Sequence, residues 1–252
     1  MSWTVVSFIS LAIFAVVFAA AFAGSGALVD VLRRRQVLDH PNKRSSHVAP
    51  TPRGGGIAVV GVLLAVWAGI AFLAPGIFPH PLSVPFPAMV LVLFCALGLA
   101  VISWLDDLKG LTPLIRLILQ FAAAIICLDA LPVGPSGAVL VFQGLLPATA
   151  DHVVAVLIWI WFLNLFNFMD GIDGITGVEA ASVGGGVFVV ALFAGGAQDW
   201  ALFGLSAAAA ACGFLCWNWD PAKLFIGDVG SVPLGFLLGW LLLGLAAMGY
   251  WA

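Results

Sequence analysis

The chain has 252 residues, 63% of them apolar and only 8% charged, where a water-soluble domain carries about a quarter charged residues. That balance excludes a soluble globular enzyme and places the chain among polytopic helical membrane proteins. The net charge of −3 says little by itself, because in such a chain the position of each charge matters more than the sum; no nucleic-acid partner is expected.

Apolar runs bounded by Pro, Gly and charged residues predict an all-α fold of about eight transmembrane helices. They lie at about 3–29, 55–74, 88–105, 111–129, 153–167, 175–195, 200–217 and 232–250. The first run lacks a basic leader and is followed by Arg33, Arg34 and Arg35, so it reads as a retained span. Connections that alternate sides then sort by charge. Arg33, Arg34, Arg35, Lys43, Arg44, Arg53, Lys109, Arg116 and Lys223 all fall in or beside connections of one parity, and the other parity has none. By the positive-inside rule the basic side is cytoplasmic and the N-terminus is outside. The outer connections are rich in Pro and Gly, with a brief amphipathic piece expected near Val139 to Leu145. Cys95, Cys127, Cys212 and Cys216 all sit in apolar runs and read as small buried residues. No repeat or soluble segment divides residues 1–252, which read as a single transmembrane domain.

Four connections of the basic parity hold the polar side chains that a plain anchor would not need. The first, LDHPNKRSSHVAPTPRGGG from Leu38 to Gly56, is kept non-helical by Pro41, Pro50 and Pro52. It can present Lys43, Arg44 and Arg53 to phosphate oxygens, with Gly54 to Gly56 allowing close backbone approach to a ligand. The plainer alternative is an orientation signal lying against anionic lipid, which suits Arg33 to Arg35 best. The second, SWLDDLKGL, sets Asp106 beside Asp107 at a hydrocarbon boundary, where two carboxylates repel and call for a cation or a shared proton. A divalent metal is the economical answer, against simple pairing with Lys109 and Arg116.

The third, NLFNFMDGIDG, puts Asn164 and Asn167 one helical step apart, ahead of Asp170-Gly and Asp173-Gly in a tight turn. This density of hydrogen-bonding groups suits a nucleotide or sugar, whereas a structural turn would need one Asp-Gly. The fourth, NWDPAKLFIGDVGS from Asn218 to Ser231, places Asp228 between Gly227 and Gly230 at a helix start, with Lys223 as a further phosphate-pairing charge. Alone, GDVGS would pass for a helix cap. His40 and His47 lie in the basic loop while His80 and His152 fall on the other side, so no His cluster is expected.

Together PNKRSSHVAPTPRGGG, WLDDLKGL, NLFNFMDGIDGITG and PAKLFIGDVGS resemble, in content and order, the polyprenyl-phosphate N-acetylhexosamine-1-phosphate transferases of glycosyltransferase family 4. The RSSH and PTPRGGG wording is most similar to the branch that initiates bacterial O-antigen. The resemblance implies Mg²⁺-dependent transfer, with Mn²⁺ as the alternative ion. A sugar-1-phosphate would pass from a UDP-HexNAc to undecaprenyl phosphate, releasing UMP at the cytoplasmic face of the inner membrane. It implies Asp228 and Asp107 as metal ligands and Asp106 and Asp107 as the acidic pair that orients or deprotonates the lipid phosphate. Arg53, Lys109, Arg116, Asn164, Asn167, Asp170, Asp173, Asn218 and Lys223 would bind substrate; a homodimer is left open. Family members usually continue through a His-rich loop and further spans, so the chain is expected to be C-terminally short. The competing readings are a truncated, inactive transferase and an ion-coupled transporter using Asp106, Asp107 and Asp228.

Overall fold

A computed structural model describes residues 3–41, 49–77, 83–194 and 197–250. Among the described residues eight α-helices follow in chain order: α1 (Trp3–Arg34), α2 (Gly56–Ile77), α3 (Phe86–Lys109), α4 (Pro113–Ile126), α5 (Ala148–Met169), α6 (Ile175–Ala194), α7 (Gln198–Asn218) and α8 (Asp228–Ala247). Seven are long and apolar enough to cross a membrane. The exception is α4, at 14 residues. With a rise of 1.5 Å per residue it is roughly 21 Å long against a hydrocarbon core of roughly 30 Å. The expected 111–129 span is therefore a short helix that breaks at Cys127 into a single 3₁₀ turn, Leu128–Ala130.

The bundle is built around α8 and α7, whose side chains are nearly all buried. Small residues make that possible, because a side chain at Gly235, Gly239 or Gly244 would collide with Leu163, Trp159 or Trp200 respectively. Trp67, Trp200, Trp240 and Phe203 form a buried aromatic cluster at the centre. Large apolar side chains elsewhere point outward. Phe8, Phe94, Trp161, Phe168 and Phe193 are each more than 70% exposed, which suits a lipid surface and would be a severe liability in water.

Hydrogen bonds divide the connections between two ends of the bundle. At one end the Ser83 amide and hydroxyl donate to Asp199 at the start of α7, and the Val141 and Phe142 amides donate to Asp151 at the start of α5. The Gln143 amide group reaches the Ala246 and Ala247 carbonyls at the end of α8. Residues 139–145, expected to hold a brief amphipathic piece, form turns in which Asp151 and His152 take up backbone groups. Asp151 is fully buried and accepts both amides at 2.9 Å. Asp151→Ala leaves those donors without an acceptor, at about 1–3 kcal/mol each. The thermal midpoint in detergent should fall by roughly 5–10 °C, which a fluorescence melt would measure.

At the opposite end the polar connections meet. Two-residue strands β1 (Leu38–Asp39) and β2 (Thr51–Pro52) pair antiparallel, where proline content predicts only that the chain is not helical. The chain after β2 then runs along the segment before α8. Phe225 donates to the Pro52 carbonyl, while the Gly54 and Gly55 amides donate to the Phe225 carbonyl and Gly56 to that of Ile226.

Candidate active site

The glycine run that follows Arg53 has a structural explanation. A side chain at Gly56 would come within 2.1 Å of the Gly230 Cα, so PTPRGGG and GDVGS pack backbone to backbone. The close approach expected for a ligand is made by the protein's own chain. Gly227, at φ +71°, turns that chain into α8 where a side chain would press on Asp107 and on Arg53. Asp228 is thereby fixed as the first residue of α8, and the Val229 amide donates to Asp107 Oδ2 at 3.2 Å. Two carboxylates thus sit at one helix N-terminus, the end whose dipole favours negative charge.

Arginines complete the cluster. The Arg53 guanidinium lies 2.7 Å from Asp107 and 2.9 Å from Asp228, and that of Arg116 lies 2.8 Å from Asp106 and 3.3 Å from Asp228. Asp106 is further held by the Leu111 amide, which closes the turn between α3 and α4. Five residues from four separate segments thus form one alternating chain, Asp107–Arg53–Asp228–Arg116–Asp106. The acids are 5–19% exposed and the arginines 35–38% exposed, so cationic faces look outward over a buried carboxylate floor. Lys109, which the pairing alternative would set against the acidic pair, is exposed and stays out of it. Half of the pairing alternative holds, since Arg116 does engage Asp106.

The donor set is all oxygen, which fits a hard divalent cation such as Mg²⁺. Asp107 Oδ1 is buried and lies within ion-pair distance of Arg53 yet off the hydrogen-bond direction, leaving lone-pair capacity unused. Among the described residues no three acids, histidines or cysteines form a ready-made cage. Mg²⁺ is commonly bound by one or two carboxylates with phosphate oxygens and water completing the shell, so Asp107 and Asp228 fit that role.

The NLFNFMDGIDG residues lie alongside, with differing fates. Asn164 turns to α4, donating to Gln120 and to its own helix at Ile160, while Asn167 meets Ser231 of α8. The two amides share a helix yet do not converge on one point. Asp170 accepts from Thr176 at 2.6 Å. Burial pushes its carboxyl up to about 7 against the pull of the Thr176 bond, and the charges of Asp228 and Asp107 add to the rise while Arg53 opposes it. Asp170 therefore feels the ion cluster directly. Asp173 accepts from the Ala222 amide through Oδ2 and keeps Oδ1 buried without a partner.

Asn218, expected to bind substrate, is buried and wholly used inside the protein. It accepts from the Gly174 amide and donates to the Leu224 carbonyl, joining the end of α7, the Asp-Gly turn and the approach to α8. Lys223 is exposed, with Nζ 6.0 Å from the Trp217 ring centroid. Lys43, Arg44, His47 and His80 lie outside the described residues. Sequence reasoning missed Gln120, Thr176 and Ser231 as partners of the motif residues; Gln120, a lone amide in an apolar run, was the one visible signal.

Comparison with known proteins covers most of the chain. The sequence is 30% identical over 234 residues to the phospho-N-acetylmuramoyl-pentapeptide-transferase of Shouchella clausii, covering 86% of this chain and 69% of that protein. It is 29% identical over 233 residues to the decaprenyl-phosphate N-acetylglucosaminephosphotransferase of Mycobacterium leprae, covering 84% and 55%. A probable undecaprenyl-phosphate N-acetylglucosaminyl 1-phosphate transferase of Bacillus subtilis is 29% identical over 210 residues, covering 82% and 55%. The chain thus spans from about half to about two-thirds of the length of these relatives. The family profile described as Glycosyl transferase family 4 matches residues 88–246, which hold α4 to α7, nearly all of α3 and α8 and every acid of the cluster, and the chain belongs to that family.

Proposed function

We propose that the chain transfers a sugar-1-phosphate from a UDP-HexNAc to undecaprenyl phosphate, releasing UMP. The observation that carries this reading is the Asp107–Arg53–Asp228–Arg116–Asp106 chain at one end of an apolar bundle. Such a site faces a specific electrostatic problem. A phosphate oxygen of the lipid must attack the β-phosphorus of the nucleotide sugar, forming a P–O–P bond to the sugar phosphate. The bond from that phosphorus to the bridging oxygen breaks, and UMP leaves with the oxygen and its negative charge. Both reactants are anions, so cationic groups are needed to bring them together.

Arg53 and Arg116 supply that charge, with guanidinium edges suited to phosphate oxygens. Asp106 and Asp107 orient the two arginines and accept any proton left on the lipid phosphate. A divalent ion held by Asp107 and Asp228, Mg²⁺ or in its place Mn²⁺, would neutralise the diphosphate. Asn167 and Asp170 border the cluster and suit the nucleotide sugar; Asn164, Asp173, Asn218, Lys109 and Lys223 act at one remove. Positive charges confined to one parity support a site at the cytoplasmic face of the inner membrane, where nucleotide would arrive from water and lipid from the side.

The RSSH and PTPRGGG wording favours a role in O-antigen or other envelope glycan initiation. The test is UMP release by the purified, detergent-solubilised chain, with UDP-GlcNAc and UDP-MurNAc-pentapeptide in parallel reactions. UMP should form only when polyprenyl phosphate and Mg²⁺ are both present. UMP formed without the lipid, or at an equal rate in excess chelator, would refute the reading.

A further inference from the structure

Ser231 takes no part in the ion cluster, yet it is the fourth residue of α8, one turn from Asp228, and has no exposed surface. Its Oγ lies 2.5 Å from Asn167 Oδ1 on α5 and 3.2 Å from the Gly227 carbonyl oxygen. The hydroxyl meets the oxygen end of the amide. O–H···O bonds run about 2.5–3.0 Å and N–H···O bonds about 2.7–3.2 Å, so 2.5 Å belongs to a hydroxyl donating to an amide oxygen. The proton is committed to Asn167 Oδ1, with the Gly227 carbonyl as a weaker second acceptor. The other end of the Asn167 amide, Nδ2 with its two donors, is turned away from Ser231.

Those donors are in contrast with the neighbouring amide. Asn164 spends its Nδ2 on Gln120 and on the Ile160 carbonyl, and Asn218 spends both ends inside the protein. Asn167 is half-buried and stands one helical step before Asp170, the carboxyl that feels Asp228, Arg53 and Asp107. A donor pair at that place, beside outward-looking arginines, suits an oxygen acceptor.

We infer that Ser231 is a positioning residue: its hydroxyl holds the Asn167 amide so that Nδ2, and not Oδ1, is presented to an anionic oxygen of the bound nucleotide sugar. The inference rests on the transferase reading for the identity of its ligand. Without the serine hydroxyl the amide is free to flip, and half of its orientations would present Oδ1, an acceptor, to an acceptor.

The test measures equilibrium binding of the UDP-sugar by calorimetry and KM and kcat for UMP release, using the full chain. Ser231→Ala should weaken UDP-sugar binding and raise its KM roughly 10-fold, while KM for polyprenyl phosphate stays within about twofold. Asn167→Asp, which keeps an acceptor for Ser231 but presents a carboxylate oxygen to the ligand, should weaken binding roughly 100-fold. Because the serine acts only through the amide, Ser231→Ala should have no further effect in an Asn167→Ala background. Additive losses in that double variant, or unchanged binding by Asn167→Asp, overturn the inference. UDP-sugar binding that follows the expected pattern with no UMP formed would keep it and refute the transfer reaction. UMP formation by the wild type with additive variants refutes this inference alone.

Discussion

Asp228→Asn should reduce UMP release by roughly 10³-fold with little change in the thermal midpoint. Asp228 is the one acid that meets both arginines, at 2.9 and 3.3 Å, so it joins the Asp107 half of the cluster to the Asp106 half. The amide is nearly isosteric and can still accept from Arg53 and Arg116. What it loses is the negative charge, which would hold the proposed divalent ion and which pairs with both guanidiniums. The stability change should be small because an acid at a helix N-terminus contributes about 0.3–1 kcal/mol. The two outcomes separate chemistry from folding. A variant that keeps more than about a tenth of wild-type turnover would remove Asp228 from the proposed metal site, whereas a large fall in the melting midpoint would make it a structural residue.

Arg53→Gln carries the second large effect, with opposite signs in two measurements. Arg53 lies within 3 Å of two carboxylates, and without it only Arg116, at 3.3 Å from Asp228, offsets their charge within the cluster. Removing its charge should lower kcat/KM roughly 100-fold, since a phosphate-facing cation in a poorly hydrated site contributes about 3 kcal/mol. The same change unmasks Asp107 and Asp228. With no nucleotide present, Arg116 on Asp228 is then the one remaining competitor within the cluster, so Mn²⁺ titrated by electron paramagnetic resonance should bind the variant more tightly than the wild type. Arg53→Lys should restore little turnover, because an ammonium on a flexible stem cannot meet two carboxylates and a phosphate with one planar fork. Weaker Mn²⁺ binding by the Gln variant would show that Arg53 builds the cation site and does not compete for it.

Much of this was readable from the sequence and some of it was not, for a definable reason. Hydrophobic runs and the parity of the basic residues place Asp106, Asp107, Asp170 and Asp228 at one end of a bundle, since a membrane leaves each span only two places to end. Helix neighbours are another matter. Arg53 and Asp228 are 175 residues apart, and Asn167 and Ser231 are 64 apart, so their meeting depends on which helices pack together, and apolar surfaces of similar composition do not specify that locally. Gly54 to Gly56 carried a real signal of close approach, but a glycine does not say whether a ligand or another backbone comes near. Asn218 and Asp173 show the same ambiguity for polar side chains: residues that bridge loops and residues that bind substrate have the same chemistry. The extent of α4 was misjudged because Cys127 and Leu128 extend the apolar run past the point where the helix breaks.

That short helix also bears on the lipid around the protein. With α4 roughly 21 Å long beside neighbours of 20 or more residues, its apolar surface ends well before a bilayer of ordinary thickness does. Its outward side chains Leu114, Ile115, Ile118, Ile125 and Ile126 leave no polar stretch to fill the gap. Mismatch of this kind is relieved at modest energetic cost by local thinning of the leaflet. Thinning along that flank, where Arg116 stands, would bring lipid phosphates toward the depth of its guanidinium.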